Sequence, residues 1–577
     1  MVNTPRRYFF SRRWLQLSLR SFLVLTVLTS LAMTWGYRAL IGPPSPRPDP
    51  QQQIVPTDWD IGGFDRKTGA WKKAAARNVK WVAPLGSQTY GAPVVFGGKV
   101  FVGTNNGAGY LKRYPRDVDL GVLLCFAVDD GRFLWQHSNE KLPTGRVHDW
   151  PLQGVCSRPW VEDDRLWYVT NRCEVVCLDT DGFHDGENDG PLLTEPHESL
   201  DEADVVWKLD MMGQLGVSPH NMSACNVLAV GRRLFVCTSN GLDESHIKLP
   251  KPDAPSFLCL DKNTGEVLWS DNSPGKNILH GQWGSPAYGV LGGAPQVLFP
   301  GGDGWLYSFD PAGTPEGKSK LLWKFDCNPK TAAWMLGGRG TRNNLVATPI
   351  LHQGLVYIST GQDPEHGEGA GLLWCIDPTR RGDVSPELVF NKSDPNTPIP
   401  HKRIQACDPS QGDFTRSNPN SAEVWRYTQH DHNGDSVIDF EEQFHRSIGY
   451  PAIKGDLLLV NDFSGLVHCL DVHTGKPHWT YDQLAACWSS PTIFGDHLYT
   501  TDEDGDVAIF PLSADPAVAL PGGMPIIEIM MDNSLYATPT AADNVLYITN
   551  KTHLFAIAEP EKPTRILETD GRTADEP

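Results

Sequence analysis

Two stretches far apart in the chain decide the fold: Phe257–Trp269, FLCLDKNTGEVLW, and Val467–Trp479, VHCLDVHTGKPHW. Both contain the pattern small residue, Leu, Asp, two variable residues, Thr, Gly, three variable residues and Trp. In this pattern the glycine supplies the positive φ of a hairpin turn, while the Asp and Thr side chains bond the backbone of the turn. Each stretch therefore predicts two antiparallel strands joined by a tight turn, with a Trp closing the second strand.

The same unit recurs along the chain, and Leu124–Trp135, LCFAVDDGRFLW, is a decayed copy. Three more copies carry insertions before the closing Trp: Cys177-Leu178-Asp179 before Trp207, Ser308-Phe309-Asp310 before Trp323, and Cys375-Ile376-Asp377 before Trp425. A Pro-marked strand and an aromatic-rich strand precede each unit, as in Thr348-Pro349-Ile350 to Val356-Tyr357-Ile358. The chain thus predicts eight units of four short strands, and such units arranged radially form a β-propeller.

The two ends of the repeat region complement each other. The last unit supplies only three strands, Tyr536–Pro539, Val545–Ile548 and Leu554–Ile557, whereas an extra strand at Val79–Val82 precedes the first unit. Pairing this extra strand with the last unit closes the ring and removes an open sheet edge. We therefore predict an all-β fold, a closed eight-bladed β-propeller over residues 79–558, followed by a disordered tail at 559–577.

The composition excludes several classes of protein. The 577-residue chain has a formal net charge of −19, and the seven arginines of residues 1–47 leave −26 for residues 48–577. A nucleic-acid partner is excluded because such binders present a basic face. A mean hydropathy of −0.33 excludes a protein that spans the membrane many times.

The N-terminus has the pattern of an export or anchor segment. Arg6, Arg7, Arg12, Arg13 and Arg20 precede the apolar run Phe22–Trp35. A positive segment followed by an apolar one is typical of a signal anchor or of a cleaved signal peptide. We predict an anchor over residues 1–41 with its arginines in the cytoplasm, a Pro/Gln-rich linker over 42–78, and a propeller outside the cytoplasm, in the periplasm.

The units at residues 259–269 and 469–479 resemble the repeats of the pyrroloquinoline-quinone (PQQ) type, or quinoprotein-like, propeller family, and the resemblance covers residues 80–558. It implies an eight-bladed ring. The family includes PQQ-dependent dehydrogenases as well as non-catalytic scaffolds such as the barrel-assembly lipoprotein of outer membranes. The Arg-rich anchor and the inserted loops are similar to membrane-anchored PQQ-like repeat proteins of planctomycete type.

The cysteines favour a core role. Five of the twelve occupy one repeat position, which requires a small apolar residue between sheets: Cys125, Cys177, Cys259, Cys375 and Cys469. In an exported protein a disulfide between Cys156 and Cys225 is an alternative that the sequence leaves undecided. No two cysteines are adjacent, whereas PQQ alcohol dehydrogenases often carry a vicinal disulfide, and this counts against an enzyme.

One motif predicts a metal site. Residues 431–442, DHNGDSVIDFEE, fit a 12-residue EF-hand loop within an insertion at 428–447. The expected Ca²⁺ ligands are Asp431, Asn433, Asp435, the Val437 carbonyl, Asp439 and Glu442. Ser436 stands where Gly is usual, and a helix is expected from Glu442 to about Ser447. The alternative is a solvated acidic turn.

Several long loops share one rim of the predicted ring and carry polar and aromatic residues. The candidate binding residues on this rim are His280, Trp283, Arg339, Arg342, His366 and Glu368. Rim packing or ion pairing is the alternative role for these side chains. The leading hypothesis is a membrane-anchored, extracytoplasmic module that binds protein or glycan. The alternative is a PQQ- and Ca²⁺-dependent dehydrogenase, in which Trp283, Asp303 and Arg339 would be the stacking, catalytic and charged residues.

Overall fold

The computed structural model describes residues 50–560, which lie in the second of two compact units, Asp49–Pro577. In this range the strands form eight blades. In order from first to fourth strand, they are Val94–Phe96, Lys99–Asn105, Leu120–Ala127 and Phe133–Glu140 (blade 1); Trp160–Glu162, Arg165–Val169, Glu174–Asp179 and Val205–Asp210 (blade 2); Leu228–Val230, Arg233–Cys237, Phe257–Asp261 and Val267–Asp271 (blade 3); Ala287–Leu291, Ala294–Pro300, Trp305–Phe309 and Leu321–Asp326 (blade 4); Ile350–His352, Leu355–Ser359, Leu373–Ile376 and Glu423–Tyr427 (blade 5); Ala452–Lys454, Leu457–Asn461, Leu466–Asp471 and Pro477–Asp482 (blade 6); Thr492–Phe494, His497–Thr501, Asp506–Pro511 and Ile527–Met530 (blade 7); and Thr540–Ala542, Val545–Thr549, His553–Ile557 and Val79–Pro84 (blade 8).

First strands of neighbouring blades contact one another, as in blades 8, 1 and 2 and again in blades 3, 4 and 5. This convergence places the first strands around the axis and the fourth strands outside, which confirms the eight-bladed propeller. Seven first strands begin directly after a proline. The sequence predicts that the first strand of blade 8 starts at Tyr536, but it starts at Thr540. Pro539 has no N–H to donate to the ladder, so the strand begins after it.

The ring closes as predicted. Val79–Pro84 runs antiparallel to His553–Ile557, with Val82 opposite Phe555 and Pro84 opposite His553. The N-terminal strand is therefore the fourth strand of blade 8, and the edge of the last repeat is paired.

A tryptophan on the fourth strand ties most blades to the next. The indole N–H of Trp135 donates to the Thr180 carbonyl of blade 2 at 3.1 Å, and that of Trp425 donates to the Val472 carbonyl of blade 6 at 3.1 Å. The equivalent hydrogen bond, from the indole N–H to a carbonyl of the next blade, is made by Trp81, Trp207, Trp269 and Trp479. Each Trp stands opposite the small residue of its own third strand, as Cys125 does opposite Trp135.

Two blade junctions use other groups. Between blades 4 and 5, Trp323 donates to the side-chain oxygen of Gln296 at 2.7 Å, and the Gln296 amide donates to the Pro378 carbonyl at 3.0 Å. Blade 7 has no Trp on its fourth strand, and Trp59, from before the first strand, packs between blades 7 and 8 beside Met531.

Part of the segment 42–78, which the sequence predicts to be a linker, packs against the propeller. Val55, Trp59 and Ile61 are buried against blades 7 and 8, and Phe64 stacks on His553 at 4.2 Å. Apolar side chains in the segment take it out of solvent, so at least residues 53–64 belong to the propeller body. The predicted anchor at 1–41 lies outside the described residues, as does the tail after residue 560.

Helices in the described range are short, and none is long and apolar enough to cross a membrane. The α-helices are α1 (Met211–Leu215) and α2 (Pro516–Ala519), and the 3-10 turns are Pro50–Gln52, Lys73–Ala75, Asn106–Ala108, Gly145–Val147, Gly182–His184, Gly275–Asn277, Leu336–Gly338, Pro364–His366, Pro409–Gln411, Phe440–Glu442 and Pro521–Gly523.

The insertion in blade 5 wraps blade 4. Gly382–Asp383 pairs in parallel with the fourth strand of blade 4, and a hairpin of Glu387–Asn391 and Asp413–Ser417 follows. The segment between these two strands returns to blade 4, where the Trp334 amide donates to the Ile404 carbonyl at 2.8 Å. The insertion thus adds surface to the rim that carries the candidate residues.

Candidate binding rim and calcium loop

The predicted rim residues come from loops that precede first strands or join second and third strands. The structure brings three of them together: His280 stacks on His366 with ring centroids 4.8 Å apart, and its ring lies 5.4 Å from that of Trp283. Arg339 and Glu368 are exposed on neighbouring loops. The candidate residues therefore lie on adjoining loops of blades 4 and 5.

Arg342 has the packing role that the sequence left open. It is fully buried, and its guanidinium donates to Asp326 and to the Asp303 carbonyl, both at 3.2 Å. Lys330 donates to the same carboxylate at 2.9 Å. Burial alone would raise the pKa of Asp326, but the charges of Arg342 and Lys330 outweigh it and lower the pKa to about 2. This network fixes the loop between blades 4 and 5.

The contacts of Asp303 also stabilise the local structure. It is buried, and its carboxylate accepts from the Tyr307 hydroxyl at 2.6 Å and from the Trp305 amide at 3.2 Å. Burial raises its pKa to about 6. The indole of Trp283 donates to the His220 carbonyl at 3.3 Å. These contacts stabilise turns, and the dehydrogenase hypothesis stays a prediction.

A histidine cluster on the rim escaped the sequence analysis as a unit. His220, His246 and His280 each place one ring nitrogen within 4.8 Å of the others. Burial lowers the pKa of His220 to about 4 and that of His280 far below its usual value. Both imidazoles are therefore neutral at pH 7. No spacing motif links three separate loops, and only their common place on the rim could have indicated the cluster.

The calcium loop has a regular backbone with its side chains turned inward. Asp431 accepts from the amides of Gly434 at 2.6 Å and Ser436 at 2.8 Å, and Asn433 accepts from Asp435 at 2.8 Å. Ser436 has a φ of +68°, as expected where Gly is usual. The helix predicted from Glu442 to Ser447 is wrong: a single 3-10 turn spans Phe440–Glu442, and Gln443 is already extended. Ca²⁺ binding stays a prediction.

All twelve cysteines are free, including Cys156 and Cys225. The five at the repeat position are buried opposite an outer-strand Trp, in the small apolar role that the repeat predicts.

Comparison with known proteins supports the type of repeat. Residues 410–516, from the end of the blade 5 insertion to just past the third strand of blade 7, match the family model described as outer membrane protein assembly factor BamB. The match covers less than half of the chain, so it indicates the repeat type of blades 6 and 7, and the eight-bladed ring rests on the strand topology. No curated protein sequence matches it.

Solved structures similar to this propeller include BamB from Moraxella catarrhalis, at 13% identity and a TM-score of 0.47 over 83% of this chain and 97% of the other. Another is the computationally designed Ika8 protein, at 10% identity and a TM-score of 0.46 over 83% and 99%. At these values neither carries an argument about function, and the fold rests on the strand topology.

Proposed function

We propose that this PQQ-like propeller is a membrane-anchored, extracytoplasmic module that binds a protein partner through its rim. The observation that carries the proposal is an exposed apolar patch on blades 3, 4 and 5, here called the apolar rim patch. Its members and their exposed fractions are Ile247 (60%), Met335 (48%), Leu336 (45%) and Ile404 (47%). Exposed apolar groups gathered on one surface mark interaction sites.

One backbone hydrogen bond and the guanidinium of Arg403 hold the patch together. Trp334, next to Met335, donates its amide to the Ile404 carbonyl at 2.8 Å, and Arg403 donates to the Ile247 carbonyl at 3.3 Å. Arg403 also reaches the Ile278 carbonyl at 2.8 Å. Three separate loops therefore present their side chains on one fixed support, which lowers the entropy cost of binding.

The chemistry of the patch favours protein over glycan. Aliphatic and Met side chains gain free energy by burying apolar area against other apolar side chains. A sugar offers mostly hydroxyl groups, which would leave this surface poorly matched. The acidic charge of residues 48–577 also disfavours an anionic glycan.

Photo-crosslinking in cells tests the binding surface. A photoreactive amino acid replaces Leu336 in the full chain, and Val290, which is 66% exposed on the opposite rim, serves as the matched position. We expect a discrete protein adduct from position 336 alone. Ile404→Asp should abolish that adduct, while Val290→Asp should leave it. Equal adducts from both positions, an adduct unaffected by Ile404→Asp, or a glycan in the adduct would overturn the proposal.

The anchor needs a separate test. The five arginines before Phe22–Trp35 support an N-terminus inside and a propeller outside. A reporter that works only after export, fused behind Pro577, should be active and should be degraded by protease added to spheroplasts. A protected reporter would contradict the orientation.

A further inference from the structure

We propose that His220, His246 and His280 bind a divalent transition metal ion, with Zn²⁺ as the first candidate. The three residues lie in two loops of blade 3 and in the loop that enters blade 4, beside the apolar rim patch. Their ring centroids are 4.3 to 4.9 Å apart in each pair. Three imidazoles are a ligand set that suits Zn²⁺, Cu²⁺ or Ni²⁺ and does not suit Ca²⁺ or Mg²⁺.

The tautomer of His220 is determined by its surroundings. Its Nδ1 lies 2.8 Å from the Leu242 carbonyl, which can only accept a hydrogen bond. Nδ1 therefore carries the proton, and Nε2 keeps its lone pair. That Nε2 is buried without a hydrogen-bond partner, and His220 has no exposed surface. A backbone carbonyl on one ring nitrogen and a free lone pair on the other is the usual arrangement of a metal-binding histidine.

His280 makes no hydrogen bond through its Nδ1, but a carboxylate lies behind that nitrogen. Its Nε2 lies 2.7 Å from Nδ1 of His246, whereas its Nδ1 faces the Asp363 carboxylate at 3.6 Å. A carboxylate behind a histidine commonly orients the ring toward a metal. The Glu365 amide donates to the Asp363 carboxylate at 2.9 Å, so the carboxylate is itself held in place. Nε2 of His280 and Nδ1 of His246 are thus the two remaining ligand atoms.

The cluster must adjust to hold an ion, since its three ligand nitrogens lie within 4.8 Å of one another and not at a single common distance. Ligand nitrogens of tetrahedral Zn²⁺ lie roughly 3.4 Å apart, since each Zn–N bond is about 2.1 Å. The contact between His246 and His280 would open by several tenths of an ångström. His246 is partly exposed, and its loop can make this shift. Its exposure also leaves a fourth position for water or a partner's side chain.

His366 provides a matched control. It stacks on His280, but its Nδ1 pairs with the Gln362 side chain at 2.8 Å. It lies outside the set of three whose nitrogens converge. Replacing His366 removes an imidazole from the same surface without removing a proposed ligand.

The test uses the full chain after treatment with a chelator. One sample is titrated with Zn²⁺ in competition with a chromophoric chelator, and a second is titrated with Co²⁺ and followed by visible absorption. We expect one high-affinity site and a tetrahedral Co²⁺ band in the wild type and in His366→Gln. His220→Gln and His246→Gln should each weaken Zn²⁺ binding at least 100-fold. His246→Gln is the safer variant, because its side chain is only half-buried.

Absence of a tight site in the wild type would overturn the proposal. Equal loss of binding in His366→Gln would also overturn it, because the ligands would then not be these three histidines. Tight binding that persists in His246→Gln would overturn it as well, because the ion would then lie elsewhere, for example at His430 and His432 near the calcium loop.

Discussion

Glu442 is a buried carboxylate held by the backbone of its own loop. One oxygen accepts from the amide of His432 at 2.8 Å and from Asn433 at 3.3 Å, and the other accepts from Asp439 at 3.2 Å. Burial would raise its pKa, but these hydrogen bonds outweigh that effect and lower it. The side chain thus stays ionised and turned into the loop, where a cation would meet it.

The Ca²⁺ prediction therefore centres on Glu442. Isothermal titration of the wild type should show one site with a Kd on the order of 10⁻⁴ M, in the range of extracellular modules. Glu442→Gln should abolish the heat, because it removes the bidentate ligand. Glu441→Gln alters the exposed neighbour and should leave binding intact. Equal heats in wild type and Glu442→Gln would show that the loop is only an acidic turn.

His553 makes stability depend on pH. Its ring is stacked on Phe64, and burial lowers its pKa from 6.5 to about 4. Between these values the unfolded chain takes up a proton that the folded chain refuses, so the free energy of unfolding falls as the pH drops from 6.5 to 4. Relative to His553→Gln, the wild type should lose about 1–2 kcal/mol over this interval.

Urea denaturation of both proteins at pH 7.0 and at a pH near 4.5 measures the difference. Parallel losses in the two proteins would mean that the His553 ring is solvated.

At the scale of elements, the junction between blades depends on polar pairing as well as on apolar contact. Trp135 makes one indole bond across its junction, whereas Gln296 also accepts from Ser308, at 2.7 Å. The amide of Gln296 also donates to the Leu291 carbonyl at 3.1 Å, so Gln296 connects four groups in the interior between blades 4 and 5. Buried donors left without partners cost more free energy than one exchanged bond gains.

Trp135→Phe should accordingly lower the free energy of unfolding by about 1 kcal/mol, and Gln296→Leu by about 2–4 kcal/mol. Gln296→Leu removes the hydrogen-bond partner of four groups: the N–H of Trp323, the hydroxyl of Ser308, and the carbonyls of Leu291 and Pro378. Equilibrium denaturation of both variants provides the comparison. If the free energy of unfolding fell less in Gln296→Leu than in Trp135→Phe, the hydrogen bonds of Gln296 would not hold this junction.

The sequence was sufficient to predict elements whose geometry is local. Asp471 and Thr474 bond the same turn that Gly475 permits with a φ of +70°, so the repeat identifies its own hairpin. Gln296 and Trp59 were not predicted, because their roles depend on neighbouring blades: Gln296 reaches the Pro378 carbonyl of blade 5, and Trp59 packs on blades 7 and 8. The histidines were missed for a related reason: only the packing of blade 3 against blade 4 brings His220 next to His280.

At the scale of the whole molecule, closure depends on Val79–Pro84. Deleting Val79–Val82 should expose the ladder of His553–Ile557 and cause aggregation, because an unpaired edge pairs with other chains. Removal of residues 565–577 leaves this pairing untouched and should have no such effect. Size-exclusion chromatography with light scattering distinguishes the two. A monomeric, stable product of the first deletion would show that the ring holds without its closing strand.

The closing pair also sets the order of events during synthesis. Val79–Pro84 leaves the ribosome before any blade is complete, and His553–Ile557 leaves after all the others. Until then the first strand has no partner, and joining the ends requires closing a loop of almost the whole domain, which is slow. A chain that stops before His553 keeps unpaired edges at both ends, which aggregate readily. The ring therefore cannot close before the last strand has been synthesised.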